Sequence, residues 1–146
     1  MEPGERSTSS LVDSLRGEGF ALRVADADEF VEKTRVLPLV HEPTRMLCDV
    51  VLAGPGIEEL FFDRARQRDV GGVRVPVVSA DDLVAMKILA GRPKDLDDVQ
   101  AIVRVQGSAV DLRRARATLG TLERALDRRD LLPVFEAILE RTRRKP

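Results

Sequence analysis

Tryptophan and tyrosine are absent from this chain, and only five of its 146 residues are phenylalanine. Single-stranded nucleic acids are held on platforms of several aromatic faces, so any contact with nucleic acid has to rest on charge. The one cysteine, Cys48, excludes an internal disulfide and a cysteine-based zinc site, and the lone His41 argues against a zinc enzyme. A reducing cytoplasm is the expected compartment. No apolar run approaches the roughly 18 residues that span a bilayer, and the opening MEPGERSTSS is polar, so neither a signal peptide nor a membrane anchor is expected. Internal repeats and low-complexity segments are missing as well.

What remains has the composition of a globular domain, 43% hydrophobic and 34% charged, at a length that suits one core rather than two. The net charge of −1 conceals an uneven distribution: residues 1–103 hold 13 basic and 19 acidic side chains, residues 104–146 hold 11 and 6. Most of the basic residues of the tail are arginines, among them Arg113, Arg114, Arg116, Arg124, Arg128, Arg129, Arg141, Arg143 and Arg144. They suit either a solvated helix face, since Glu123, Asp127 and Glu140 are interspersed, or a surface that docks phosphate or acidic groups.

Periodicity gives the elements. SSLVDSLRGEG reads as a short helix stopped by glycines, FALRV as a strand and ADADEFVEKT as a helical turn or two. RVLPLV and TRMLCDVVLA read as paired strands, ended by Gly54-Pro55-Gly56. A helix over residues 56–67 places Ile57, Leu60, Phe61 and Ala65 on one face, and Gly71-Gly72 turns a hairpin. Ser79 caps a helix with Leu83, Met86, Lys87 and Ala90 at helical spacing, Gly91 stops it, and Pro93 opens the next, striped by Leu96, Val99, Ile102 and Val103. Two more helices are expected at 110–127 and 130–143. The fold class is α/β (α+β), a small mixed β-sheet with flanking helices followed by a C-terminal helical segment. The expected divisions are a disordered tail 1–9, a domain 10–105 and a helical extension 106–146.

Chemistry-bearing residues crowd the junction of two helices in LVAMKILAGRPKDLDDV, residues 83–99, where Lys87, Arg92, Asp95 and Asp98 lie close in sequence. Asp95 and Asp98, three apart, share a helix face near its N-terminus. On spacing alone they read as structural carboxylates bonded to Arg92 and Lys87, although a lysine and an arginine there also form an anion site. Asp49, flanked by apolar residues in the strand MLCDVVL, is a lone acid whose burial is costly unless paired. Cys48 and His41 have the residue types of a nucleophile and its base, but an apolar strand favours a structural cysteine. Asp26-Ala27-Asp28 reads as helix capping.

Residues 83–99 together with MLCDVVL (46–52) resemble the nucleotidyltransferase-like proteins related to the AbiEii toxin group and to minimal nucleotidyltransferases, over about residues 10–105. The resemblance implies a mixed sheet with flanking helices, and Mg²⁺-dependent transfer of a nucleotidyl group from a nucleoside triphosphate to a protein or RNA acceptor. It makes Asp49 the match to the third metal-binding carboxylate and a catalytic residue, and it places Lys87 and Arg92 on the nucleotide phosphates. Asp95 and Asp98 become structural or supporting residues. A Gly-Gly turn followed by an Asp-x-Asp strand, which supplies the other two carboxylates, does not occur before residue 10. The expected activity is therefore impaired or incomplete. The alternative is a non-catalytic binding module of a bacterial toxin–antitoxin type system, using its arginine-rich helices on a protein partner, on RNA or on a second copy of itself.

Overall fold

A computed structural model describes residues 8–52 and 57–144, and the chain divides into two units, Met1–Gly54 and Pro55–Pro146. In the first unit, helix α1 (Thr8–Gly17) precedes strand β1 (Phe20–Leu22), and helix α2 (Ala27–Thr34) precedes strands β2 (Val36–His41) and β3 (Met46–Val51). Asp26 caps α2, as its position in the sequence suggests, accepting the Glu29 N–H at 3.0 Å. The strands form an antiparallel sheet in the order β1-β2-β3. Leu37 and Leu39, on one face of β2, are buried, as is Val12 of α1. Pro38 sits in this middle strand without breaking it. Its carbonyl accepts the Arg23 N–H at 2.9 Å just past the end of β1. In an antiparallel ladder a residue's N–H and C=O face the same neighbour, so the missing donor falls where the short β1 stops.

The second unit opens with helix α3 (Ile57–Arg64) and the ribbon of β4 (Arg66–Val70) and β5 (Val73–Val77). Here the expected helix over 56–67 is too long, because Arg66 and Gln67 belong to a strand. The reason is the turn: Gly71 and Gly72 both take positive φ (63° and 87°), which fixes Val70 opposite Val73 and carries the pairing back to Arg66 opposite Val77. The expected stop at Gly54-Pro55-Gly56, the side chain of Ile57 and residues 1–7 of the expected tail lie outside the described residues. Among the described residues the strands form two small antiparallel sheets, of three strands and two, flanked by helices.

Helices α4 (Ala80–Ala90), α5 (Pro93–Gln106), α6 (Leu112–Leu126) and α7 (Leu131–Arg144) complete the unit, with a 3-10 turn at Gly107–Ala109. One core holds Val84, Ala85 and Ile88 of α4, Val99 of α5, Ala115, Leu119 and Leu122 of α6, and Leu131, Phe135, Ile138 and Leu139 of α7. The helices expected as an extension from residue 106 thus share a core with those before it. Ser79 caps α4 by accepting the Asp82 N–H, and Gly91 ends it in the left-handed conformation (φ 66°). The buried face of α4 differs from the one that spacing suggests: Asp81, Asp82, Val84, Ala85 and Ile88 point inward while Met86 is exposed. A helix apolar on nearly every side has no periodic stripe to read. Among the described residues no helix is long and apolar enough to cross a membrane.

Candidate functional site

The corner between α4 and α5 is built by three residues with fixed conformations. Gly91 turns the chain, Arg92 is extended (φ −70°, ψ 148°), and Pro93 starts α5 at a position where its missing N–H costs nothing. The last turn of α4 then presents Lys87 to the first turns of α5, where Asp95 and Asp98 share a face. Lys87 Nζ donates to Asp98 Oδ2 at 2.7 Å and to Asp95 Oδ1 at 3.3 Å. Arg92 closes on Asp95 with two parallel bonds, Nε to Oδ2 at 2.5 Å and Nη2 to Oδ1 at 3.2 Å. Two positive and two negative groups neutralise one another here, with Asp95 buried and Arg92 exposed over 76% of its side chain.

Hydrogen bonds set the proton affinities. The Arg92 guanidinium holds the Asp95 carboxyl below the usual carboxylate range against the opposing effect of burial, with Lys87 assisting. The Asp98 carboxylate, more than any other group, raises the Lys87 ammonium above its ordinary value, again against burial. A depressed folded-state value stabilises the fold above the unfolded value, about pH 4 for an aspartate, and the contribution is lost as pH falls through the lower folded value. The Asp95→Asn variant is therefore expected to be less stable than the parent in urea unfolding at pH 7, and the gap should narrow at about pH 2–3. An equal gap at both values would mean that the ion pairs contribute nothing.

Arg92 makes no side-chain cap to α5, and Lys94 beside it has no partner among the described residues. The helix N-terminus therefore keeps N–H groups for an anion. Each cation also keeps donors to spare: Lys87 uses two of its three N–H groups and Arg92 two of its five. The corner thus keeps cationic donors beyond those its own pairs use.

Asp49 lies in the first unit, on the edge strand β3 opposite Pro38. The expectation of a lone, costly acid is corrected by its surroundings: the side chain is 59% exposed and accepts a hydrogen bond from Arg23 Nη2, while Arg23 Nε also donates to the Leu39 carbonyl at 3.1 Å. A solvated, paired carboxylate carries no desolvation penalty that a function must explain. Among the described residues no group of three or more His, Cys, Asp or Glu could hold a metal ion. Asp49 belongs to no such group. His41 Nδ1 lies 2.7 Å from Thr44 Oγ1 and the ring tilts against Phe20, while Cys48 is a half-buried free thiol on β3. Neither contact makes a nucleophile and base.

The family model described as nucleotidyl transferase of unknown function (DUF2204) matches residues 53–141. The chain belongs to this family. The matched segment of the nucleotidyl transferase family contains Lys87, Arg92, Asp95 and Asp98, whereas Asp49 precedes it. No curated protein matches the chain significantly.

Reading the sequence does not find a second polar cluster in the same unit. Arg64 Nη1 donates to Asp82 Oδ1 at 3.0 Å and to Thr118 Oγ1 at 3.1 Å, joining α3, α4 and α6. The partners are 18 and 54 residues away, and only Ser79-x-x-Asp82, a capping pattern, marked one of them.

Proposed function

We propose that this member of the nucleotidyl transferase family binds a nucleoside triphosphate through Lys87 and Arg92 at the α4–α5 corner, in the manner of proteins akin to the AbiEii group. Transfer would run from the triphosphate to a protein or RNA acceptor: an acceptor hydroxyl oxygen bonds to the α-phosphorus and loses its proton to solvent, the bond to the bridging oxygen breaks, and pyrophosphate leaves. Lys87 and Arg92 would offset the charge on the phosphates, with Asp95 and Asp98 positioning both cations. Asp49 stands in the proposal as the one carboxylate matched to the metal-binding set. The chain alone is then impaired in transfer, because Mg²⁺ wants several hard oxygen ligands. The observation that supports the reading is the pairing of spare Lys87 and Arg92 donors with an uncapped α5 N-terminus.

Calorimetric titration of the full chain with ATP, GTP, CTP and UTP, with and without Mg²⁺, tests it. Binding of at least one triphosphate is expected, weakened about 10- to 100-fold in Arg92→Gln, the effect of losing a charged hydrogen bond. Lys87→Ala should weaken binding too, and because Arg92 pairs with the buried Asp95, thermal melting serves as the control for both variants. No binding by any triphosphate, or binding unchanged in Arg92→Gln, would overturn the assignment.

A second reading, the non-catalytic binding module of a toxin–antitoxin type system, is favoured by Arg113, Arg129 and Arg141, exposed on and beside α6 and α7 without partners among the described residues. It expects no triphosphate binding and a salt-sensitive association with RNA or an acidic protein.

A further inference from the structure

The two edges of the sheet in the first unit differ. β1 is three residues long, whereas β3 runs for six, MLCDVV, with neither proline nor lysine in it. Exposed strand edges are commonly shielded by shortness, proline or charge. The ribbon of the second unit is shielded in this way, with Pro76 in β5 and Arg66 and Arg68 in β4. On β3 the one charge is Asp49, already tied to Arg23 within its own sheet. Met46, Leu47 and Val51 of this strand are 58%, 66% and 61% exposed.

Pro38 fixes which backbone groups of β3 face outward. Its carbonyl accepts the Arg23 N–H and so faces β1. Asp49, the residue opposite Pro38, consequently turns its own N–H and C=O away from β2. Leu47 and Val51, two residues to either side, do the same. Their donors and acceptors, spaced as in a ladder, have no partner among the described residues.

We propose that β3 pairs antiparallel with β3 of a second copy of this chain, about a two-fold axis at Leu47. Such a pairing sets outward-facing residues opposite one another, and charge selects the register. Centring on Asp49 opposes two carboxylates, and centring on Cys48 sets Asp49 against Leu47. Centring on Leu47 sets Arg45 opposite Asp49 of the second copy, and the symmetry repeats that pair across the axis. Arg45, just before β3, is exposed and has no partner among the described residues. Arg23 bonds to Asp49 Oδ1, which leaves Oδ2 for the incoming arginine. Leu47 then meets its own copy, so an apolar contact lies between the two ion pairs.

Sedimentation velocity of the full chain over a concentration series tests the proposal, without nucleotide, so that it is separate from the triphosphate assignment. A monomer–dimer equilibrium is expected. Arg45→Glu, at an exposed turn position, should weaken dimerisation at least about tenfold, because two attractive pairs become two repulsive ones. Leu47→Pro should abolish it, since the N–H removed faces outward and the β2–β3 ladder keeps its bonds. Thermal melting of both variants checks the fold. In a Cys48→Ser background, Leu47→Cys should cross-link two chains under a mild oxidant, whereas Val51→Cys should not. Facing Cα atoms in a hydrogen-bonded pair lie about 5.5 Å apart, within the reach of a disulfide. A chain that stays monomeric at every concentration, as when another segment or a different protein covers β3, overturns the proposal. So does dimerisation that persists in folded Arg45→Glu and Leu47→Pro, or cross-linking as efficient from position 51 as from position 47.

Discussion

Truncating Phe135 to alanine is expected to destabilise the second unit by about 3–5 kcal/mol, the range for emptying a fully buried aromatic site. Phe135 is inaccessible to solvent and sits in the core that α4, α5, α6 and α7 share. The Arg116 guanidinium lies 5.8 Å from the ring centroid and is forked onto Glu136 at 2.5 and 3.0 Å, so the ring also orders a surface ion pair. A domain of this size loses about 4–8 °C of melting temperature per kcal/mol. Calorimetric melting should therefore fall by more than about 10 °C in Phe135→Ala and much less in Phe135→Leu, which keeps most of the volume. A truncation costing under about 1 kcal/mol would mean that α7 does not share the core described.

Removing the Asp82 carboxylate should have the next largest effect. The side chain is 1% exposed and accepts hydrogen bonds from Arg64 Nη1 at 3.0 Å and from Ser79 Oγ at 3.1 Å. In Asp82→Ala the half-buried Arg64 keeps only its bond to Thr118, and a cation without its counter-charge is the costly part of a broken buried pair. The expected loss is about 2–4 kcal/mol, below the value for a fully buried partner because Arg64 retains some contact with water. A double-mutant cycle with Arg64→Ala in urea should show a coupling of more than about 1 kcal/mol, since removing both charges costs less than the sum of the two single losses. Additive effects would show that the pair does not tie α3 to α4.

Local signals account for much of what was legible. Asp26, Ser79, Gly71-Gly72, Gly91 and Pro93 each act within four residues of themselves, through a cap, a positive φ or a fixed φ, and each does so in the fold. The Lys87, Arg92, Asp95 and Asp98 cluster was legible for the same reason. Its members span only 12 residues, and one glycine and one proline fix the corner that joins them. The end of α3 was less so, since Arg66 and Gln67 have no strong preference and are drawn into a strand by partners on the far side of a turn.

By itself the sequence determined the α/β character, the caps and turns, and the charged corner, because propensity, capping and φ restriction act between near neighbours. Only the tertiary structure decided which face of α4 is buried, that Asp49 is solvated and held by Arg23, and that Asp81 pairs with Arg114. Those outcomes depend on residues up to 54 positions apart, as between Arg64 and Thr118, whose proximity no local pattern encodes. Burial, and with it the strength of every charge interaction, is settled by packing.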